Sequence, residues 1–124
     1  MKIFSDKYSI VTGATGLLGP FHAEALAEEN YNLILIDLDH KKLNSVKRKL
    51  QKKYKKIKFL TYVCDIRYTK NVDKLFSELK KKEIFVSCLV NNAENNPKMK
   101  EKNINKVLNR IEDYDEKKIF SEIE

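Results

Sequence analysis

The chain of 124 residues has few of the residues that mark several protein classes, with two cysteines, no tryptophan and only three glycines. Cys64 and Cys88 lack the density of a disulfide framework and the paired spacing of a zinc site, so we expect two buried thiols and no metal site. No apolar run approaches the roughly 18 residues of a membrane span, and the N terminus lacks the features of a secretory signal. These absences predict one cytoplasmic globular domain over residues 1–124.

All three glycines, Gly13, Gly16 and Gly19, fall within one stretch of seven residues. This stretch follows a short apolar run, Tyr8–Thr12, and opens a segment with helical spacing, Leu17–Glu29. A strand, a glycine-rich loop and a helix in this order bind the pyrophosphate of a dinucleotide, because the loop backbone approaches the phosphates and the helix N terminus meets their charge. The glycines therefore predict a dinucleotide site.

The rest of the chain alternates predicted strands and helices. Further strands are expected at Leu33–Asp37, Ile57–Val63 and Ile84–Val90, and Asp39 is expected to cap the second helix. Asn91–Asn103 is predicted as a polar loop and 104–124 as a helix. The apolar stripes expected to face the core are Leu18, Phe21, Ala25 and Leu26 in the first helix, Leu43, Val46, Leu50 and Tyr54 in the second, and Val72, Leu75, Phe76 and Leu79 in the third.

The order βαβαβαβ with short joints predicts an α/β fold, a Rossmann-like, doubly wound parallel sheet with strand order 3-2-1-4. The ligand of such a sheet binds where the first and fourth strands separate. The chain is expected to end before a fifth strand, which leaves the fourth strand as an open apolar edge. Open strand edges pair with other chains, so we expect self-association or a complementing chain.

Asp37 ends the second predicted strand, 18 residues beyond Gly19. A carboxylate at this interval accepts hydrogen bonds from both hydroxyl groups of an adenosine ribose and repels a 2′-phosphate. Ala14, Thr15 and Leu38 offer no positive charge to offset that repulsion. The cofactor predicted from these residues is NAD rather than NADP.

Four segments resemble the short-chain dehydrogenase/reductase family: VTGATGLLG at Val11–Gly19, LILID at Leu33–Asp37, CDI at Cys64–Ile66 and LVNNA at Leu89–Ala93. The resemblance covers essentially the whole chain, which corresponds to the first half of a family member. It implies that the glycine-rich loop wraps the pyrophosphate, that Asp37 holds the adenine ribose and that the other two segments contact the adenine and the second ribose. The implied cofactor-binding residues are Thr12, Gly13, Thr15, Gly16, Leu17, Leu18, Gly19, Asp37, Leu38, Asp65, Ile66, Asn91, Asn92 and Ala93.

Two features depart from the usual pattern of the family. The spacing TGxxGxxG resembles the extended branch, so a fragment of a nucleotide-sugar epimerase or dehydratase is an alternative, although NNA and DI favour the single-domain branch. Glu94 stands where that branch has glycine, and its side chain could crowd or repel the cofactor.

The family's catalytic serine, tyrosine and lysine cannot be placed in this sequence. Tyr54 with Lys58 matches the spacing YxxxK, but the pair spans a helix end and a strand, and Tyr114 with Lys118 lacks the upstream serine. We therefore expect the NAD-binding portion of an oxidoreductase that is inactive alone. The alternative is a non-catalytic module that senses a nucleotide or is completed by a partner.

Positive charge is concentrated in Lys41–Lys58, which holds ten basic and no acidic residues. Such a helix could bind nucleic acid. The chain has 22 Lys but only three Arg, and the segment has one aromatic residue, Tyr54, for stacking on a base. These features favour a solvated helix face over nucleic-acid binding.

Overall fold

Residues 6–94 are the part of the chain that the computed structural model describes, and all but Glu94 lie in a unit that covers residues 1–93. Most of the predicted loop 91–103 and the whole predicted helix 104–124 lie outside the described residues, and the single domain over 1–124 stays a prediction. The elements are β1 (Tyr8–Thr12), α1 (Gly19–Glu28), β2 (Asn32–Asp37), α2 (His40–Lys53), β3 (Phe59–Val63), α3 (Thr69–Lys81) and β4 (Val86–Val90).

The four strands form one parallel sheet in the order β3-β2-β1-β4, which confirms the predicted doubly wound α/β fold. In this order the chain returns across β1 to reach β4. The carboxyl ends of β1 and β4 are therefore neighbours from which the chain departs in different directions. A crevice at that point is where open α/β sheets bind their ligands.

The core lies on both faces of the two central strands. Leu33 and Leu35 of β2 belong to one buried cluster, together with residues of α1 and α2. Ile34 and Ile36 belong to a second cluster, which includes Leu75 and Leu79 of α3. Strands covered on both faces read as continuous apolar runs, which explains why these segments show no alternation.

The stripe predicted for α1 is wrong except at Leu26, which is half-buried and packs against the core. Leu18 and Phe21 are 55% and 66% exposed, and Ala25 is exposed as well, whereas Ala23 and Ala27 are buried. The helix begins so close to the glycine-rich loop that only small side chains fit between it and the sheet. The buried residues recur every four positions, at Gly19, Ala23 and Ala27. In the sequence this spacing is less apparent than that of the larger apolar residues of the same helix.

Several predicted boundaries also differ. The third and fourth strands begin two residues later than expected, at Phe59 and Val86. Before β4, Glu83 has a φ of 55° and the amide of Ile84 bonds to the last turn of α3, so the chain turns there before it extends. In α3 Phe76 is exposed instead of buried, because only Leu75 and Leu79 reach the sheet.

The two cysteines are free, and only Cys64 is fully buried, since Cys88 on β4 is half-exposed. Desolvation raises the pKa of the Cys64 thiol, with a smaller contribution from the charge of Asp65. Asp39 caps α2 as predicted, because its carboxylate accepts a hydrogen bond from the amide of Lys42. Among the helices of residues 6–94, none is long and apolar enough to cross a membrane.

Candidate functional site

The glycine-rich loop between β1 and α1 has two positions where only glycine fits. Gly13 has a φ of 63°, and a Cβ there would lie 2.8 Å from Cα of Ala93. A Cβ on Gly19 would lie 2.7 Å from backbone atoms of Ala14. At Gly16 an added Cβ would meet only the Gly13 carbonyl oxygen, at 3.4 Å, so this backbone faces open space. The loop thus packs tightly against the protein and remains accessible at Gly16.

The carboxyl ends of β1 and β4 are joined through the side chain of Thr12. Its hydroxyl oxygen accepts hydrogen bonds from the amides of Asn92 and Ala93, both at 3.1 Å, and donates one to the Val90 carbonyl at 3.4 Å. The amide nitrogen of the Asn92 side chain donates to the Gly13 carbonyl at 3.1 Å. These bonds hold the start of the glycine-rich loop against the end of β4, where the sheet changes direction.

Asp37, at the end of β2, is hydrogen-bonded to the same loop. One of its carboxylate oxygens accepts bonds from the amide and the hydroxyl of Thr15, at 2.9 and 2.7 Å. The other accepts a bond from the amide of Leu38 at 2.7 Å. The structure therefore brings Asp37 into direct contact with the glycine-rich loop, as the position of both at one edge of the sheet predicts.

Asp65 follows β3 at the same edge, next to the strand that carries Asp37. Its carboxylate accepts three hydrogen bonds from Arg67, two from the guanidinium at 3.0 and 2.7 Å and one from the backbone amide. The bonds from the Arg67 side chain hold the pKa of Asp65 below its usual value. Sequence reasoning missed Arg67, although an arginine two residues after an aspartate is the available signal.

The remaining predicted residues lie around this edge. The apolar side chains of Leu17 and Leu18 at the start of α1 and of Ile66 after β3 are exposed, and Leu38 is 60% exposed. Asn91 and Ala93 are exposed after β4, and Glu94, the residue that departs from the family pattern, is exposed next to Ala93. The loop, Asp37 and the end of β4 are joined by hydrogen bonds.

The match of Tyr54 and Lys58 to a catalytic pair is not supported by their contacts. The Tyr54 hydroxyl bonds to Glu28 at 2.9 Å and to Glu24 at 3.1 Å, and Lys58 pairs with Asp6 at 3.0 Å. Desolvation, followed by the hydrogen bonds to the two glutamates, raises the pKa of the Tyr54 hydroxyl. A tyrosine that transfers a proton near neutral pH needs its pKa lowered, so Tyr54 is unsuited to that role.

The basic segment 41–58 covers the outer side of α2 and the turn that follows it. Lys53 pairs with Glu24 and Lys58 with Asp6, while its other basic side chains form no ion pair with a described residue. Tyr54, its one aromatic residue, is bound to glutamates. Within residues 6–94 no group of three potential metal ligands comes together.

A glycine-rich loop at the switch point of a doubly wound sheet defines the class of dinucleotide-binding folds. The sequence model of the short chain dehydrogenase family matches residues 7–114. The chain belongs to this family, as its four motifs indicate.

Individual relatives agree with this assignment. The chain is 36% identical over 89 residues to a very-long-chain 3-oxoacyl-CoA reductase of Phaeosphaeria nodorum, a match that covers 69% of this chain and 26% of the relative. It is 31% identical over 93 residues to an uncharacterized oxidoreductase of Staphylococcus saprophyticus, covering 75% of this chain and 39% of the relative. The chain thus spans between a quarter and two fifths of the length of these proteins.

The fold is also similar to that of solved structures. The structure of L-sorbose reductase from Gluconobacter frateurii, complexed with NADPH and L-sorbose, superimposes with a TM-score of 0.68. The sequence identity is 23%, and the match covers 79% of this chain and 37% of the reductase. This similarity establishes the fold.

Proposed function

We propose that this chain binds a nicotinamide adenine dinucleotide at the carboxyl edge of its sheet, as the cofactor-binding portion of an oxidoreductase. Membership of the short chain dehydrogenase family supports the class of cofactor. The observation that carries the proposal is the glycine-rich loop, bonded to Asp37 on one side and to the end of β4 on the other. Its backbone is open at Gly16, where a phosphate can approach.

Each part of the cofactor has candidate residues at this edge. The loop from Thr12 to Gly19 and the N terminus of α1 are proposed to hold the pyrophosphate, and Asp37 the adenine ribose. Asp65 and Ile66 would border the adenine, and residues 91–93 the ribose next to the nicotinamide. When bound, the nicotinamide supplies hydride transfer, and the protein residues bind and orient it.

NAD is the dinucleotide that we propose. The Asp37 carboxylate would accept bonds from a ribose diol and repel a 2′-phosphate, and its neighbours Thr15 and Leu38 carry no charge. The L-sorbose reductase structure contains NADPH, so the shared fold is compatible with either cofactor. The preference for NAD depends on the residue at position 37.

Calorimetric titration of the purified chain with NAD and with NADP tests this proposal. We expect NAD to bind more tightly, and Asp37→Ala to weaken NAD binding. Asp39→Asn is the matched control, because it removes a negative charge two residues away and retains a side chain that can cap α2. Tighter binding of NADP than of NAD by the unaltered chain would contradict the preference, and binding of neither by a folded chain would contradict the proposal.

We further propose that this chain alone holds the cofactor without turning over a substrate. Tyr54 and Lys58 are bonded to other residues, and Tyr114 and Lys118 lie outside the described residues. Oxidation or reduction of nicotinamide by the purified chain with a panel of alcohols and ketones would contradict this. Because the relatives are much longer, a substrate class is not assigned.

A module completed by a partner is the second candidate, and the exposed edge of β4 favours it. In the described sheet β4 pairs only with β1, and Leu89 on it is 55% exposed. A further strand, from a second copy or another polypeptide, would pair with its free backbone groups. Light scattering should show self-association, and Leu89→Lys should weaken it. A monomer at all concentrations would exclude pairing between copies.

A further inference from the structure

Charge is distributed unevenly over the helices of the described residues. α2 has seven lysine and arginine residues and no acidic residue, whereas α3 has four lysines and two acidic residues. A helix surface that only faces solvent is favoured by charges of alternating sign, which pair along the helix. On α2 like charges repel instead across one turn, between Arg48 and Lys52 and between Lys49 and Lys53. This surface would gain free energy from a partner of negative charge.

Five of these side chains form one surface, which we call the basic face: Lys41, Lys42, Arg48, Lys49 and Lys52. Lys41, Arg48 and Lys52 follow one another at seven and four residues, so they lie in one row along the helix. Lys42 and Lys49 lie in a second row beside it. All five are exposed, and none forms an ion pair with another described residue. The face is about 17 Å long, because Lys52 follows Lys41 by eleven residues.

The opposite side of α2 is fixed in the core. Leu43 and Leu50 are buried in the cluster that includes Leu33 and Leu35 of β2, and Val46 packs against it. The apolar side chains of this helix thus stay in the core, and only its charged side can meet a partner. The basic face acts through charge alone, and its five cations are carried by a helix that is held in place.

The acidic residues that bond to α2 lie at its ends, within the described part of the chain. Asp39 caps the first turn, and its carboxylate accepts a hydrogen bond from the Lys42 amide at 3.1 Å. Glu24 of α1 pairs with Lys53 and accepts a hydrogen bond from the Tyr54 hydroxyl. Neither carboxylate forms an ion pair with a side chain of the basic face, which therefore keeps its positive charge.

The residue types of the basic face favour an anionic lipid surface over nucleic acid. Arginine binds phosphates and guanine with a planar fork, whereas lysine is a point charge, and four of the five residues are lysines. Single strands are also held by stacking on aromatic rings, and Tyr54, the one aromatic residue of segment 41–58, is bonded to Glu24 and Glu28. Attraction to lipid headgroups requires neither feature, since it depends on the density of charge near the membrane.

We propose that the basic face of α2 is a docking surface for a bilayer that contains anionic phospholipids. Clusters of about four to eight basic residues on an amphipathic helix bind such membranes. Docking through charge alone holds the protein on the surface without inserting any part of it, and it weakens as salt screens the charges. Dinucleotide binding is not required for docking, so each can be tested without the other.

Co-sedimentation of the purified chain with vesicles tests this surface. One set of vesicles contains about one third phosphatidylserine in phosphatidylcholine, and the other contains phosphatidylcholine alone. We expect binding to the first set only, and release from it when the salt concentration rises from about 0.1 M to about 1 M. Equal binding to both sets, binding that salt does not weaken, or no binding by a folded chain would contradict the proposal.

The triple variant Lys41→Gln, Lys49→Gln and Lys52→Gln removes three charges from the basic face. Glutamine forms helices about as well as lysine, so we expect α2 to stay folded. Because each basic residue adds to the attraction, the affinity for the vesicles with phosphatidylserine should fall at least about tenfold.

Lys70→Gln with Lys74→Gln and Lys80→Gln is the matched control. These exposed lysines lie on α3, and their loss lowers the net charge of the chain by the same amount. We expect the affinity for the same vesicles to change less than about twofold. Equal losses from the two triple variants, each shown to be folded by circular dichroism, would mean that attraction follows the net charge and would overturn the docking surface.

Oligonucleotides test the other class of polyanion. Fluorescence anisotropy measures their binding at the salt concentration used for the vesicles, with single-stranded and duplex probes. We expect the chain to bind them more weakly, per negative charge, than it binds vesicles with phosphatidylserine. Tighter binding of an oligonucleotide would overturn the lipid surface and assign the basic face to nucleic acid.

Discussion

Two clusters of hydrogen bonds in this protein differ in the groups that they join and in their consequences for stability. At the carboxyl edge of the sheet, Thr12, Asp37 and Asn92 bond to backbone groups of the glycine-rich loop and of β4. Between α1 and the C-terminal end of α2, Glu24 and Tyr54 belong to a cluster of long side chains near the surface. Bonds to a half-buried backbone fix its path, whereas exposed ion pairs between flexible side chains contribute little to stability.

The same contrast separates two motif matches. The glycine motif depends on backbone space, and at Gly13 and Gly19, two of its three positions, the structure leaves no room for a side chain. The spacing of Tyr54 and Lys58 depends only on two common residue types, and the structure binds each to a different acidic residue. A motif predicts a site well when each position has a separate steric or chemical requirement.

The largest expected effect is that of Gly19→Ala. Its Cβ would lie 2.7 Å from Cα and the carbonyl carbon of Ala14 and closer still to the Gly13 carbonyl oxygen, so α1 would have to move away from the loop. We expect a loss of about 3 kcal/mol in the free energy of unfolding. Urea denaturation measures it.

Gly16→Ala is the control for that change. Its Cβ would make an ordinary contact at 3.4 Å, so we expect stability to change by less than about 1 kcal/mol. Affinity for a dinucleotide should fall, because a methyl group would occupy the space in which a phosphate approaches. Equal losses of stability from the two variants would show that the loop does not discriminate between its glycines.

Thr12→Val is expected to have the next largest effect. Valine keeps the shape of threonine but removes the acceptor of the Ala93 amide. The Asn92 amide loses one of its two acceptors and keeps the Val90 carbonyl at 3.1 Å. Because Ala93 is exposed and water can replace the lost acceptor, we expect a loss of about 1 kcal/mol. Thr12→Ser retains the hydroxyl oxygen and should restore most of the lost stability. If serine were as destabilising as valine, the hydroxyl would not be the group that joins the two strands.

The sequence predicted the fold better than the packing of individual helices. The order of strands follows from alternation and chirality, which do not depend on which side chains are buried. Most of the stripe in α1 was wrong because Phe21 and Leu18 carry the strongest apolar signal, whereas the residues that α1 buries are glycine and alanine. Close approach is a tertiary property that no single helix encodes.

For the candidate site too, the position of the main groups was predictable from the sequence, whereas their individual contacts were not. Glycine spacing and the position of Asp37 indicated that the two lie together, and the structure joins them through Thr15. The role of Thr15 was not predictable, because a threonine in a loop has no pattern that identifies its partner. Arg67 was missed although its spacing from Asp65 is a signal, because the local turn after β3 decides whether the two side chains meet.

A smaller and opposite effect is expected from Ser9→Ala. Ser9 is completely buried on β1, and its hydroxyl has no hydrogen-bond partner among the described residues. Alanine removes this unsatisfied group and leaves the backbone pairing intact, so we expect a gain of up to about 1 kcal/mol in the free energy of unfolding. Ser87→Ala on the exposed neighbouring strand removes only a long hydrogen bond to the Tyr8 carbonyl, at 3.5 Å, and should change stability little. A loss of stability at Ser9 would reveal a partner for its hydroxyl.

The smallest effect is expected from Glu24→Gln in the exposed cluster. Hydrogen bonds from Lys53 and Tyr54 lower the pKa of Glu24 in the folded protein. The stabilisation that this carboxylate provides is therefore present at a pH above its pKa in the unfolded chain, and it is lost as the pH falls through the lower pKa of the folded protein. Because Glu24 and Lys53 are near the surface, solvent and salt screen this contribution. We expect equal melting temperatures for the variant and the unaltered chain at pH 7, and nearly parallel losses of stability in acid. A clear drop at pH 7 that salt diminishes would mean that the cluster between α1 and α2 stabilises the protein as much as the bonds of the glycine-rich loop.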